Sequence, residues 1–230
     1  MNVMLPEVNK DTVELLNKIG AVVVSPARQS CCGSLNAHNG DMKTARELAA
    51  KNIREFGRYE YDYLISNSAG CGAFMKEYGE LFKDDKELAQ QAAEFSARVK
   101  DITEFLAETD LPSFKNKPDE SITYHDACHL VHTQKIYSEP RDVLNNIPGI
   151  KLVPLTDSTK CCGSAGIYNL LHTGTSLELL KEKMDNIKKT GAEIVLTGNP
   201  GCMLQIKYGA KTFNTNLRVE HTVSFFNRHI

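Results

Sequence analysis

Cys161-Cys162-Gly163-Ser164 follows the apolar run 150–155, and Cys31-Cys32-Gly33-Ser34 follows the apolar run 21–24. These two stretches lie at the centre of an internal repeat, because residues 20–79 and 149–209 present the same residue types in the same order. Each copy continues with a helical pattern, a short apolar strand and a turn that carries one more cysteine, Cys71 or Cys202. The chain therefore contains one kind of unit twice.

An amphipathic helix follows each Cys-Cys-Gly motif. Apolar residues recur at helical spacing in both copies, and the second helix meets a stop signal at Gly191. Each helix leads into a short apolar strand, at residues 63–66 and 194–197, and a further strand is predicted at 122–124. Alternating strands and helices indicate parallel sheets. The sequence predicts an α/β fold of two pseudo-symmetric repeats, each a small parallel sheet flanked by helices.

The predicted boundary divides the chain into residues 1–110 and 111–230. A continuous apolar helical face covers residues 88–106, and the polar segment 111–120 after it is typical of a linker. In the second copy a strand and Cys128 precede the repeat, whereas the first copy has no counterpart of either. Alignment of Gly20 with Gly149 places the missing cysteine just before Met1. We therefore expect residues 1–110 to be an N-terminally incomplete unit that lacks its first strand.

Composition excludes several classes of protein. The formal net charge is -2, from 27 basic and 29 acidic residues, and provides no basic surface for nucleic acid. No apolar run reaches the roughly 20 residues that span a bilayer, so no transmembrane segment is predicted. We expect a cytoplasmic protein, in which seven clustered cysteines indicate metal binding or redox chemistry rather than disulfides.

Four cysteines of the second copy lie beyond the carboxyl ends of predicted strands, where parallel sheets bind their ligands. Four thiolates match a four-iron, four-sulfur cluster or a tetrahedral zinc ion. Adjacent cysteines favour the cluster, because two neighbouring side chains reach different irons more easily than one ion. The predicted ligands are Cys128, Cys161, Cys162 and Cys202, with Cys31, Cys32 and Cys71 as a second, three-cysteine set.

Glycines and histidines beside these cysteines are predicted to support the site. Gly33 and Gly163 would provide the backbone freedom needed after each cysteine pair, and Gly70 and Gly201 would let the backbone approach a cluster. His125 and His129 flank Cys128; we interpret them as hydrogen-bonding supports, although they could also complete a mixed zinc site. Buried thiols that pack as small apolar groups are the structural alternative, and no GxGxxG run predicts a nucleotide site.

These motifs resemble the cysteine-rich CCG-domain iron–sulfur proteins, a family that includes heterodisulfide reductase, lactate-utilisation proteins and the iron–sulfur subunit of glycolate oxidase. The last is the most similar. The resemblance is carried by Cys-Cys-Gly at 31–33, Ala-Gly-Cys-Gly-Ala at 69–73, Tyr-His-Asp-Ala-Cys-His-Leu at 124–130 and Asn-Pro-Gly-Cys-Met-Leu-Gln-Ile at 199–206. It implies that the seven cysteines are cluster ligands in two sister sites.

The resemblance also implies a function. A separate FAD-containing subunit would oxidise the hydroxy acid, and this chain would pass the electrons to a respiratory acceptor, with peripheral attachment at the inner face of the cytoplasmic membrane. The ferredoxin-like cysteine runs of the glycolate oxidase subunit are missing here, so any such segment would lie elsewhere. Heterodisulfide reductase has a fifth cysteine where this chain has Phe74 and Gln205, which disfavours a disulfide-cleaving enzyme. That enzyme and a zinc-stabilised assembly module remain the alternatives.

Overall fold

The computed structural model describes residues 3–112, 114 and 119–230. Its strands are β1 (Leu64–Ser66), β2 (Val99–Asp101), β3 (Ser121–Tyr124), β4 (Lys151–Val153), β5 (Ile194–Thr197) and β6 (Arg218–His221). Within this part of the chain they form a two-stranded sheet, β1-β2, and a four-stranded sheet in the order β4-β3-β5-β6. All pairs are parallel. The predicted α/β class is confirmed, as is the smaller sheet of the first repeat.

The helices alternate with these strands. They are α1 (Pro6–Lys18), α2 (Ser34–His38), α3 (Met42–Phe56), α4 (Ala69–Lys76), α5 (Tyr78–Leu81), α6 (Ala89–Arg98), α7 (Ile102–Ala107), α8 (Glu139–Asn145), α9 (Tyr168–Leu171), α10 (Thr173–Thr190), α11 (Pro200–Thr212) and α12 (Thr222–His229), with a π-helix at His129–Thr133. No helix in the described part of the chain is both long enough and apolar enough to cross a membrane.

The chain divides into two compact units. The small unit is Val24–Ile102; the large unit combines the chain up to Val23 with Thr103–Ile230. Helix α1 belongs to the large unit because it packs on α12, where Asn227 Nδ2 donates to Asp11 Oδ1 (3.2 Å) and Glu14 Oε2 (3.0 Å). The boundary at residue 110, taken from the repeat, stays a prediction, and most of the linker proposed there lies outside the described residues.

The four-stranded sheet is the core of the large unit. Strand β3 pairs with β5 in the register Ile122↔Ile194 and Tyr124↔Leu196, and all four side chains are buried. The strand ladder extends past β3, since the backbone N–H of His125 donates to Leu196 O at 2.8 Å. This pairing fixes the end of β3, and therefore the start of the segment that leads to Cys128.

Helices and aromatic side chains form most of the core of the small unit. Tyr78 stacks on Phe95 with ring centroids 5.2 Å apart, and Phe74 packs edge-to-face on Tyr78 at 5.5 Å. Aromatic pairs of this kind stabilise a core beyond the area they bury. The buried cluster comprises Ala45, Ala49, Ile53, Leu64, Phe74, Tyr78, Phe82, Leu88, Ala92, Phe95 and Val99.

One local prediction is wrong. The continuous helix predicted over 88–106 is broken by β2, because Val99 and Asp101 are buried in the parallel pairing with β1. The apolar run 21–24 forms no strand, and Val22 is almost fully exposed. Its counterpart in the second repeat, β4, pairs with β3, and the described residues of the first repeat include no strand equivalent to β3. A strand without a neighbour gains no ladder hydrogen bonds.

Candidate metal centres

Four cysteines meet in the large unit at the carboxyl edge of its sheet. Cys128 lies four residues beyond β3 and directly before the π-helix, a rare conformation that is frequent at functional sites. Cys161 and Cys162 occupy the loop after β4, and Cys202 lies in the first turn of α11. Cys162 and Cys202 are buried, whereas Cys128 and Cys161 are partly exposed, and all four are free thiols. We call these four residues the large-unit site.

The sulfurs of the large-unit site form a continuous row. The thiol of Cys128, followed by that of Cys162, hydrogen-bonds to Cys161 Sγ and lowers the pKa of Cys161 to about 2. Cys162 also lies within hydrogen-bonding reach of Cys202 Sγ, which lowers the pKa of Cys202 despite its burial. The pKa values of Cys128 and Cys162 are raised, first through these contacts and then through burial. Thiolates are thus favoured at two of the four positions before any metal binds.

His125 adds an imidazole to this row. Its ring is buried, and among the described residues neither ring nitrogen makes a hydrogen bond of normal length, although the contact of the ring with Cys202 Sγ lowers the pKa of that thiol. One ring nitrogen, Cys162 Sγ and Cys202 Sγ all lie within 4.8 Å of one another, and this is the one group of three or more such ligands found among the described residues. A buried polar group without a partner is costly. The orphaned imidazole beside four convergent sulfurs therefore fits a metal centre.

The Cys-Cys-Gly loop is held by close backbone packing. Gly163 has φ +91, and a Cβ there would lie 2.5 Å from Ser176 O on α10. The Gly163 N–H donates to Cys161 Sγ at 3.3 Å, and Ser176 Oγ donates to Gly163 O at 2.9 Å. Gln205 Nε2 donates in turn to Ser176 Oγ at 3.0 Å. The residue that replaces a fifth cysteine thus supports the loop.

Two further residues contact sulfurs of the large-unit site. Asn199 precedes α11, and its Nδ2 donates to Cys202 Sγ at 3.4 Å. His129 Nδ1 lies 3.6 Å from Cys128 Sγ, a long contact for a nitrogen–sulfur hydrogen bond. A Cβ at Gly201 would come within 3.2 Å of Ser164 Oγ, so the absence of a side chain allows α11 to approach the loop. Gly163 therefore allows the loop to pack closely on α10, and Gly201 allows α11 to pack closely on the loop.

Three cysteines meet in the small unit in a similar way. Cys31 is exposed, Cys32 is buried and Cys71 is partly buried. The Cys32 thiol is the main influence on both neighbours, lowering the pKa of Cys31 to about 5 and that of Cys71 to about 7. We call these three residues the small-unit site.

The backbone of the small-unit site repeats the large-unit loop. Gly33 has φ +88, and its N–H donates to Cys31 Sγ at 3.5 Å. A Cβ there would lie 2.9 Å from Ala45 O. Ser68 precedes Cys71 by three residues, as Asn199 precedes Cys202, and each donates a hydrogen bond to the sulfur. The two copies therefore share a backbone design for presenting thiolates, and Gly70 occupies the helical first turn beside Cys71.

Sequence reasoning missed the polar residues beneath these loops. Asn52 Nδ2 donates to Cys31 O at 3.1 Å, and Asn52 Oδ1 accepts from Ser30 N at 2.8 Å. Tyr78 Oη donates to Cys32 O at 2.6 Å. In the large unit, Lys183 is buried beneath the corresponding loop. These residues could have been found from the sequence, because positions 52 and 183 carry polar residues within the apolar stripe of a helix.

Comparison with known proteins identifies relatives that span most of this chain. The sequence model of the cysteine-rich domain family named CCG matches residues 1–76 and 122–207. The "Probable glycolate oxidase iron-sulfur subunit" of Bacillus subtilis is 39% identical over 211 residues, which are 91% of this chain and 48% of that protein. "Lactate utilization protein A" of Oceanobacillus iheyensis is 30% identical over 99% of this chain and 93% of that protein.

A third relative is also matched over most of its own length. "Lactate utilization protein A" of Geobacillus kaustophilus is 30% identical over 96% of this chain and 92% of that protein. The chain thus spans about half of the Bacillus subtilis relative and nearly all of the other two. The match to the family covers both copies of the repeat, including all seven cysteines. Two cysteine sites on two matched segments establish that this chain is a member of the cysteine-rich CCG-domain family.

Proposed function

We propose that this chain is the electron-transfer iron–sulfur subunit of a flavin-dependent 2-hydroxy-acid oxidase or dehydrogenase of the glycolate or lactate type. The observation that carries the proposal is the large-unit site, where four sulfurs and one orphaned imidazole converge. The relatives supply the physiological context, since their names refer to glycolate oxidase and lactate utilisation.

The large-unit site would hold a cluster of the four-iron, four-sulfur type through Cys128, Cys161, Cys162 and Cys202. Such a group accepts and releases one electron at a potential set by its surroundings. The chain's own residues orient the sulfurs: Gly163 N–H and Asn199 Nδ2 donate to Cys161 and Cys202. Hydrogen bonds of this kind stabilise the deprotonated ligands. His125 would lie against the cluster as a further donor or ligand.

The small-unit site would receive a second cluster if a fourth ligand reaches it. Cys31, Cys32 and Cys71 supply three sulfurs, which are linked through Cys32 but do not form a compact group of three ligands among the described residues. We expect a partner chain to supply the fourth ligand. The two sites would therefore differ in how firmly they retain iron.

Electrons would come from a separate FAD-containing subunit and go to a respiratory acceptor. A ferredoxin-like iron–sulfur segment would lie on that partner or on another chain. Oxidation of the hydroxy acid would take place on the flavin of that FAD-containing subunit, which would accept the hydride, so we expect the chain alone to be inactive toward lactate and glycolate. We place the complex in the cytoplasm, attached peripherally at the inner face of the membrane.

The first experiment measures iron, sulfide and zinc in anaerobically purified protein. We expect brown protein with equal amounts of iron and sulfide. Cys161→Ser should remove the large-unit cluster, and the matched change Cys31→Ser, at the equivalent position of the repeat, should leave that cluster in place. Colourless protein with stoichiometric zinc would overturn the proposal in favour of a zinc-stabilised module, for which His125 beside Cys162 and Cys202 also provides ligands.

A second experiment separates electron transfer from disulfide chemistry. We expect the visible absorption of the cluster to bleach with hydroxy acid only when the flavoprotein subunit is added. Reduction of a disulfide substrate by the chain alone would point instead to a thiol–disulfide enzyme. The residues at the fifth-cysteine positions argue against that outcome, because Phe74 is buried in the small-unit core and Gln205 is hydrogen-bonded to Ser176.

A further inference from the structure

Lys183 is a buried lysine that the proposed electron-transfer chemistry does not yet use. It lies on α10 with 1% of its surface exposed. Its Nζ donates to the backbone carbonyls of Asp157 and Ser158, the latter at 3.3 Å. Lysine is almost never fully buried without a paired charge. Within the described residues no carboxylate forms an ion pair with it, so its charge has no dedicated partner.

Lys183 lies against the loop that leads to Cys161, because its Nζ donates to the carbonyls of Asp157 and Ser158 in that loop. Burial lowers the pKa of Lys183, while favourable interactions with Cys162 and then Asp157, Asp126 and Cys202 oppose that shift. Asp126 is already engaged, because both its carboxylate oxygens accept from Arg141, at 2.8 and 2.6 Å. The exposed Asp157 is a weak counterion because water screens it. The ligand sulfurs are therefore the anionic groups best placed to interact with this ammonium group through a medium of low polarity.

The repeat supplies an internal comparison. Ser176 O lies against the large-unit glycine and Ala45 O against the small-unit glycine, so these two residues occupy equivalent places on α10 and α3. Seven residues further along each helix stand Lys183 and Asn52. Both are buried; Asn52 donates to the backbone carbonyl of Cys31, and Lys183 donates to the backbone carbonyls of Asp157 and Ser158, which precede Cys161. One position thus carries a positive charge in the large unit and a neutral amide in the small unit.

We propose that Lys183 tunes the large-unit centre, its buried positive charge raising the reduction potential of the cluster held by Cys128, Cys161, Cys162 and Cys202. This inference rests on the proposed function, because it requires a redox-active cluster. Reduction adds one electron to the cluster, and a nearby cation stabilises that added negative charge. The small-unit site has no such positive charge at the equivalent position, because Asn52 is neutral. The large-unit centre is then the better electron acceptor of the two.

Lys183 also positions the loop, and substitutions can separate the two roles. Lys183→Gln keeps hydrogen-bond donors and removes the charge. Lys183→Arg keeps the charge, and Lys183→Asn installs the residue of the small unit. Lys181 is exposed on the same helix, so Lys181→Gln is the matched control for loss of one positive charge.

The test is an anaerobic redox titration of the whole protein, followed by electron paramagnetic resonance of the signal that Cys161→Ser abolishes. We expect Lys183→Gln and Lys183→Asn to titrate at a lower midpoint potential than wild type, while Lys183→Arg and Lys181→Gln stay close to wild type. A midpoint in the neutral variants equal to that of Lys181→Gln overturns the inference. If Lys183→Gln fails to fold, Lys183→Asn decides. Wild-type protein without iron would instead refute the proposed function itself.

Discussion

Gly163→Ala is expected to be more damaging than the same substitution at Gly33, Gly174 or Gly191. The new Cβ would lie 2.5 Å from Ser176 O and 3.1 Å from Ser176 Oγ, both on the first turns of α10. A backbone carbonyl cannot rotate away as a flexible side chain can. Either α10 must shift or the loop that carries Cys161 and Cys162 must move.

The cost of this substitution follows from three contributions. A residue with a side chain at φ +91 costs about 1–2 kcal/mol in the left-handed region. Displacing Ser176 weakens the bond from Ser176 Oγ to Gly163 O and the bond from Gln205 Nε2 to Ser176 Oγ, each contributing about 1 kcal/mol. We therefore expect the free energy of unfolding of the metal-free protein to fall by about 3–4 kcal/mol.

Two other glycines provide matched controls for Gly163→Ala. Gly191 ends α10 with φ +66 but has open space around its Cβ position, so Gly191→Ala should cost only the backbone strain of about 1–2 kcal/mol. Gly174 has open space and lies within α10, so Gly174→Ala should be neutral or up to about 1 kcal/mol more stable. Urea unfolding of the three metal-free variants measures the series, and iron retained after anaerobic reconstitution reports on the site. Equal destabilisation by Gly163→Ala and Gly191→Ala would refute the close-packing argument.

Two further predictions concern side chains of the sites. His125→Leu removes the imidazole beside Cys162 and Cys202, so the iron-loaded variant should lose iron to a chelator faster than wild type; iron loss at the wild-type rate would contradict this. In metal-free protein, iodoacetamide should modify Cys31 at an undiminished rate down to about pH 6, because the pKa of Cys31 is lowered to about 5. Since this pKa lies below that of the unfolded thiol, the same contact favours folding at alkaline pH and is lost as the pH falls through about 5. Cys32→Ala should move the midpoint of modification toward that of a free thiol; an unchanged pH profile would remove Cys32 as the cause.

The repeat pattern predicted the framework of this fold because local periodicity and long-range pairing agree in most elements. The predicted apolar face of α10 and its stop at Gly191 match the helix observed at Thr173–Thr190. Residues 88–106 show where the two disagree. The apolar face continues through Val99, yet among the described residues β1 pairs with residues 99–101 alone. Pairing with a strand more than 30 residues away overrode the helical pattern. The spacing of apolar residues within a short stretch of sequence cannot reveal a pairing partner that lies so far along the chain.

The same reasoning explains why the cysteines could be placed at one edge of a sheet while their supports could not. Cysteine spacing after predicted strands implies convergence, because parallel strands end at one edge. Lys183 and Asn52 donate to backbone carbonyl groups of the loops. Every residue type carries such a carbonyl group, so the sequence of a loop does not reveal which carbonyl accepts a hydrogen bond. What the sequence does show is a polar residue within the buried stripe of Leu180, Lys183 and Met184. A polar residue at such a position indicates that a buried acceptor lies opposite.

The two copies of the repeat keep what fixes the backbone and vary what sets the charge. Gly33 and Gly163 both have positive φ and both face a helix carbonyl, so neither can change without moving the cysteine pair. Positions 52 and 183 differ in charge, an amide in the small unit and an ammonium group in the large unit, although both donate to backbone carbonyls near the cysteine pair. The backbone geometry of the cysteine loops is therefore the same in both copies, whereas the charge beside each site differs. If both sites hold clusters under the proposed function, the difference in charge would give the large-unit cluster the higher reduction potential of the two.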